Sequence, residues 1–326
     1  MALQQIDVYL PATQDALGKL GDDVVLLDRH TLTTTNEQVL ERLIVDATHT
    51  EQVLERLQKQ MGHTDDFRIV VSPVGATLPR PETDEEEKKN DNGTDRISRE
   101  ELYQDMSDSV QMKSVYFALV ALSVIVAAGG MLRNNTAVVI GAMVIAPLIG
   151  PNIALGLGTT LADRDLILKS LKTNLSGLLS GLALAYGMGL VLPVDPTLTE
   201  ISLRTTIGLP DVALAVAAGV AGALAVTRGL STAIVGVMVA VALVPPLVAV
   251  GLLLGSGDLN LAYQAGLLLI TNVAGVNLAS VLTFLAMGVR PMSWYKAEQA
   301  KKATRWALLL WTLVLAVLAS AIWLAA

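Results

Sequence analysis

The stretch GAMVIAPLIGPNIALGLG, Gly141 to Gly158, is apolar enough to cross a bilayer yet carries Pro147 and Pro151 at its centre. A proline inside a helix removes an amide donor, and its ring collides with the preceding turn. The segment therefore reads as a broken helix with carbonyls near Ala142 and Met143 left without helical partners. A second stretch, GVMVAVALVPPLVAVGLLLG, Gly236 to Gly255, carries Pro245 and Pro246 and frees the carbonyl near Val241 in the same way. Unpaired backbone at membrane depth is tolerated only where protein encloses it or where it lines a wet cavity. The two segments are copies. Arg133, Gly141, Met143, Pro151, Gly156 and Asp163 reappear 95 positions later as Arg228, Gly236, Met238, Pro246, Gly251 and Asp258. After a slip of three residues the correspondence resumes, with Thr173, Asn174 and Gly177 against Thr271, Asn272 and Gly275. Broken helices in duplicated membrane halves are a common build of transporter and channel sites.

Around these segments hydropathy marks about seven spans: Val115 to Leu132, Thr136 to Gly158, Leu166 to Leu192, Val212 to Val226, Thr232 to Gly255, Leu259 to Met287 and Trp306 to Leu324. Most approach the roughly 20 residues that a helix needs to cross hydrocarbon. Three spans per copy is an odd number, so the second copy crosses in the opposite sense, and the seventh span lies outside the symmetry. Arg164, Lys169, Lys172, Arg228, Arg290, Lys296, Lys301, Lys302 and Arg305 then share one side, and only Arg133 and Arg204 the other. By the positive-inside rule the N-terminus is cytoplasmic and the C-terminus external, in the plasma membrane. MALQQIDVYLPATQD has neither the basic nor the apolar run of a signal peptide, which agrees with a cytoplasmic head.

The head is residues 1–78. Strand-like alternation at Gln5 to Leu10, a short helix at Thr13 to Leu20, strands at Val24 to Leu27 and Leu40 to Val45, a helix at Thr50 to Met61 capped by Thr50, and a strand at Phe67 to Val71 make the order βαββαβ, expected of a ferredoxin-like α+β sandwich. One conflict stands inside it. The heptapeptide EQVLERL occurs at Glu37 to Leu43 and again at Glu51 to Leu57, and only topology makes the first copy a strand. Residues 79–97 are a charged, Pro-punctuated linker. Residues 98–112 form an amphipathic interfacial helix opened by a Ser98 and Glu101 capping box, with Leu102, Met106 and Val110 on one stripe. The membrane domain fills 113–326, with repeat one at about 113–192, repeat two at about 211–288 and the extra span at 306–324.

Composition excludes several chemistries. The 326 residues include 23 Lys and Arg against 30 Asp and Glu, and the net charge of -7 argues against a nucleic-acid partner. There is no cysteine, so disulfides, thiolate metal sites and cysteine nucleophiles are excluded. His30, His49 and His63 all lie in the head without metal-ligand spacing. No Ser, His and Asp constellation or phosphate loop is present, so the chain does not read as an enzyme, and no cofactor or metal is indicated. No charged side chain falls at the middle of a span, which leaves a proton relay without a carrier. The polar residues expected to converge on the breaks are Asn152, Thr173, Asn174, Thr271, Asn272 and Asn277. Together with Pro147, Gly150, Pro151, Pro245 and Pro246 they make the candidate site for a small solute or ion. Neutral Asn and Thr can coordinate a cation, accept a polar solute or bond one helix to another.

The words RISREELY, NTAVVIGAMVIAPLIGPNIALGLGTTL, TNLSG, LPVDP, VGVMVAVALVPPLVAVGLLLG and GVRP resemble the family of hydrophobic membrane proteins labelled domain of unknown function 389, over about two-thirds of the chain. That resemblance implies membrane embedding and a small variable domain ahead of it, and assigns no residue a role. The expectation is an α-helical integral membrane protein, with inverted 3+3 repeats and broken helices, that serves as a transporter or channel. Its partners are the lipid bilayer and further copies of itself in a homo-oligomer, and the head regulates or assembles it. The competing reading is a membrane-anchored sensor or scaffold whose head binds a ligand while the spans oligomerise.

Overall fold

The computed structural model describes residues 3–11, 26–33, 38–46, 49–61, 67–74, 97–230 and 243–290, with isolated positions between 305 and 320. It divides into two compact units, Met1–Leu102 and Tyr103–Ala326.

In the first unit, β1 (Leu3–Pro11), β2 (Leu26–Thr33), β3 (Gln38–Asp46) and β4 (Arg68–Val74) form one sheet in the order β2-β3-β1-β4. Both β3 and β4 run antiparallel to β1, which lies between them, so α1 (Thr50–Met61) joins two parallel strands across a third. This is the split βαβ connection that the ferredoxin-like expectation requires. The helix expected at Thr13 to Leu20 lies outside the described residues. Ile6, Val8 and Leu10 of β1, Leu43 and Val45 of β3, and Val53, Leu54 and Leu57 of α1 form the core. Of the strand expected at Val24 to Leu27, the first two residues lie outside those described; β2 spans Leu26–Thr33 and continues through polar Asp28, Arg29 and His30. These residues lack apolar alternation because β2 is an edge strand, where charge discourages pairing with other chains.

The repeated heptapeptide adopts both conformations. Gln38 to Leu43 lies in β3 and pairs along β1, whereas Glu51 to Leu57 lies in α1. In the strand Leu43 reaches the core, and in the helix Val53, Leu54 and Leu57 do. Pairing partners therefore override a helical propensity that is identical in both copies. Thr50 does not cap α1 as expected; it is the first helical residue, and its hydroxyl donates to the Asp46 carbonyl.

Asp7 of β1 and Arg42 of β3 face each other in register, with Nε to Oδ1 at 2.8 Å and Nη2 to Oδ2 at 2.9 Å. The bonds from Arg42 hold the Asp7 carboxyl below its ordinary value, against an opposing effect of burial and with help from Gln5. A carboxyl depressed by folding contributes stability that is present above its unfolded value, about 3.9, and is lost as pH falls through the folded one. Protection factors of β1 and β3 amides in the full chain should fall on acidification below about pH 4. In Asp7→Asn that acid-dependent part should vanish.

In the second unit the helices are α2 (Arg99–Ser109, begun in the first unit), α3 (Ser114–Leu132), α4 (Thr136–Ile145), α5 (Ile149–Leu161), α6 (Arg164–Val191), α7 (Thr199–Ser202), α8 (Leu209–Thr227), α9 (Val244–Ser256) and α10 (Leu259–Ala286). Four of them, α3, α6, α8 and α10, are long and apolar enough to cross a membrane, and α4 with α5, bent by 50°, can count as a fifth span. Exposed Leu168, Leu171, Leu175 and Leu179 recur at helical spacing along one face of α6. An apolar stripe of that length suits hydrocarbon better than water, and the helices are compatible with membrane insertion. The stripe of the segment 98–112 is buried, with Leu102, Met106 and Val110 at 0%, 0% and 3% exposure. Residues 232–242 of the expected fifth span and most of the expected seventh lie outside the described residues.

Helix boundaries recur at one spacing. The pairs α3 and α8, α5 and α9, and α6 and α10 have equal lengths of 19, 13 and 28 residues, each beginning and ending 95 positions apart. Left-handed residues follow the same rule: Asn134 with Gly229 in the turns after α3 and α8, and Ala162 with Gly257 at the C-caps of α5 and α9. The three-residue slip read from Thr173-Asn174 and Thr271-Asn272 has no counterpart in these boundaries. Three positions along a helix is about 300° of rotation, a net turn of about 60°, so the two Thr-Asn pairs stand about 60° and about 4.5 Å out of register on α6 and α10.

Candidate functional site

The prolines act at helix ends. Ala146, preceding Pro147, is extended at φ -74° and ψ 123°, as the ring of a following proline demands, and α4 stops there. Pro151 falls in the first turn of α5, and Pro245 and Pro246 fall in the first turn of α9. First-turn amides have no intrahelical acceptor, so proline costs little at those positions. The break expected at Pro147 is therefore present, and Pro245 and Pro246 stand at the start of α9, the residues before Leu243 lying outside those described. Both α5 and α9 are enclosed by protein, every residue from Ile149 to Thr160 and from Val244 to Leu253 being buried. The carbonyl of Ala142, expected to lack a partner, accepts from the Ser123 hydroxyl of α3 at 2.7 Å. Ser123→Ala leaves that carbonyl buried and unpaired and should cost about 1–3 kcal/mol in reversible unfolding.

Asparagine side chains meet one turn beyond the break. Asn152 of α5 donates from Nδ2 to the Leu148 carbonyl at 2.9 Å. Its Oδ1 accepts from Asn174 Nδ2 of α6 at 2.7 Å and from Asn277 Nδ2 of α10 at 2.9 Å. Asn277 Nδ2 also donates to the Val273 carbonyl at 2.8 Å. The three residues are 0%, 5% and 0% exposed. This triad therefore ties the half-helix to α6, the next helix in the chain, and to α10, which is 125 positions away at Asn277. Two acceptors in it are left over: Asn174 Oδ1 and Asn277 Oδ1 are buried without a hydrogen-bond donor. An unsatisfied buried acceptor costs about 1–3 kcal/mol.

The other expected site residues lie elsewhere. Thr173 donates from Oγ1 to the Val110 carbonyl at 2.7 Å, while its own carbonyl accepts from the Tyr116 hydroxyl at 3.1 Å. Thr271 bonds back to Leu267 of its own helix at 2.8 Å. Asn272 is buried on α10, about 140° around the helix from Asn277. Gly150 serves packing, since a Cβ there would stand 3.1 Å from the Ser109 Cβ. Pro147 shapes the break itself, and Pro245 and Pro246 open α9.

Shifting the triad by the common spacing of the helix boundaries places Leu247, Leu269 and Leu182 where Asn152, Asn174 and Asn277 stand. The triad thus draws two amides from the first half and one from the second, and the three positions related to them by the repeat are all leucine. Sequence reading missed Ser123 and Tyr116, whose signal was a lone hydroxyl in each of two apolar turns. It also missed Glu200, whose carboxylate accepts from the Thr136 hydroxyl and pairs with Arg204 at 3.1 Å, and whose backbone N–H donates to Asn134 Oδ1 at 3.0 Å. The cluster clasps the turn between α3 and α4 to α7. Burial pushes the Arg204 guanidinium below its ordinary value, and Glu200 offsets part of that. Among the described residues no group of three or more His, Cys, Asp or Glu side chains is placed to hold a metal.

A family model described as Domain of unknown function (DUF389) matches residues 143–278, a stretch that contains all three asparagines. An uncharacterized protein of Methanocaldococcus jannaschii is 39% identical over 252 residues, covering 77% of this chain and 78% of the relative. No solved structure matches the chain.

Proposed function

The chain belongs to the domain of unknown function 389 family, and from that footing we propose that it is a multi-pass plasma-membrane transporter or channel for a small solute or ion, with its site at the asparagine triad beside the α4 to α5 break. The observation that carries this reading is the pair of buried amide oxygens without donors at a point where three helices and a chain break meet. A cluster that only joined helices would gain by satisfying those oxygens, and leucine fills all three repeat-related positions, Leu247, Leu269 and Leu182, without them. Backbone interruptions enclosed at mid-domain are the usual setting of solute sites in duplicated membrane proteins.

The architecture in this reading is two inverted three-span repeats plus a seventh span, with a ferredoxin-like cytoplasmic head that regulates or assembles a homo-oligomer, and no catalytic role. The common spacing of helix boundaries supports the duplication, and the distribution of Lys and Arg supports a cytoplasmic N-terminus and an external C-terminus. Proteoliposomes loaded in turn with sodium, potassium, chloride and small neutral solutes test it. Flux of at least one of them above that of empty liposomes, lost when Asn174→Leu is substituted, is the expected result. Absence of flux, together with a thermal-shift response confined to the head, would favour the sensor instead.

A further inference from the structure

We propose that the Asn152, Asn174 and Asn277 triad binds one monovalent alkali cation, through side-chain amide oxygens and the break carbonyl of Leu148. The proposal rests on the site named above and assigns its ligand class. The unsatisfied atoms of the triad are both acceptors, Asn174 Oδ1 and Asn277 Oδ1, so the missing partner is a cation or a donor and not an anion. Two further oxygens lie against the same side chains, the Leu148 and Val273 carbonyls, held by Asn152 Nδ2 and Asn277 Nδ2.

Charge selects the valence. The triad is built of neutral amides, and Ca²⁺ and Mg²⁺ sites draw on carboxylates or retained waters to offset the larger dehydration cost. Neutral oxygens in a low-dielectric interior suit a single positive charge, the arrangement used by carbonyl-lined cation filters. The N-terminal dipole of α5 opposes a cation at Asn152, and the C-terminal carbonyls of α4, which end at the same break, oppose that dipole in turn.

In the structure the amides satisfy one another around Asn152 Oδ1. Those bonds leave the Oδ1 atoms of Asn174 and Asn277 without donors, and these two oxygens are the ones that face the cation. Leu247, Leu269 and Leu182 at the repeat-related positions allow no second site, and the stoichiometry is one cation per chain.

The test is thermal unfolding of the full-length protein in detergent, in sodium, potassium, rubidium, ammonium or choline chloride at constant ionic strength. A saturable rise in Tm with one alkali cation over choline is expected, at least tenfold weaker in apparent affinity in Asn277→Leu and at least tenfold tighter in Asn277→Asp, which adds a carboxylate. A wild-type Tm equal in all five salts overturns the proposal, as does a response to ammonium alone or one that persists unchanged in Asn277→Leu. If Asn277→Leu does not fold, Asn277→Asp decides: an unchanged midpoint overturns the proposal. Flux of another solute through a triad without cation response would leave the transport reading standing and remove only the cation.

Discussion

Asn152→Leu should cut flux in proteoliposomes at least tenfold while the protein still assembles. Asn152 is the hub of the triad: its Oδ1 accepts from both other asparagines and its Nδ2 holds the Leu148 carbonyl at the break. Leucine removes every one of those bonds and puts hydrocarbon where a solute would be held. Loss of a hydrogen bond to a charged group costs about 1.5–3 kcal/mol, and each 1.4 kcal/mol is tenfold, so losing even one such interaction implies about a tenfold fall or more. Folding should survive, because Leu247 occupies the equivalent place in α9 at 1% exposure. The measurement is tracer uptake per mole of reconstituted protein, with size-exclusion profiles as the control for assembly. Wild-type uptake by Asn152→Leu would show that the triad only joins helices.

Gly255→Val should have the largest effect on stability. A Cβ at Gly255 would stand 2.5 Å from the Tyr186 carbonyl oxygen and 2.6 and 2.7 Å from backbone carbons of Gly189. Those are main-chain atoms of α6, which cannot rotate away, so α9 must separate from α6 to admit even a methyl group. Overpacking commonly costs about 1–3 kcal/mol, and a backbone-to-backbone contact belongs at or above the top of that range. Gly187, one residue beyond Tyr186, has nothing within 4 Å of its Cβ position, and Gly187→Ala should be neutral or stabilising by about 0.5–1 kcal/mol. Thermal unfolding of the pair in detergent separates close packing from general sensitivity to glycine loss. Equal behaviour of the two variants would mean that the α6 to α9 approach is looser than the structure has it.

Much of this was legible because membrane chemistry is sparing with polar residues. Asn152, Asn174 and Asn277 stood out as amides in apolar runs, and proline spacing located the break to within a turn. What could not be read was register. The repeated Thr-Asn words placed Asn272 in one site with Asn174, but the position equivalent to Asn174 is Leu269, and Asn272 stands about 140° around α10 from Asn277. Proline alone is ambiguous: the same residue that kinks a helix interior opens a helix start, and only the stop at Ile145 decides between them. In the head, EQVLERL carries the same local propensity twice, so its strand copy was recoverable only from strand order. Ser123 and Glu200 escaped notice because their partners, the Ala142 carbonyl and the Asn134 turn, are brought near only by the folded chain.

The central claim is that this buried triad communicates with water. The chain contains no cysteine, so single cysteines can be placed without altering the background. Leu148→Cys and Asn174→Cys, in proteoliposomes of known orientation, would be exposed to a membrane-impermeant methanethiosulfonate from each side in turn, with Thr197→Cys in an exposed loop as the reactive control. Modification of both triad-region cysteines from one side of the membrane is the predicted result. A reactive Thr197→Cys alongside complete protection of both from either side would contradict the account, leaving three amides that do no more than hold helices together.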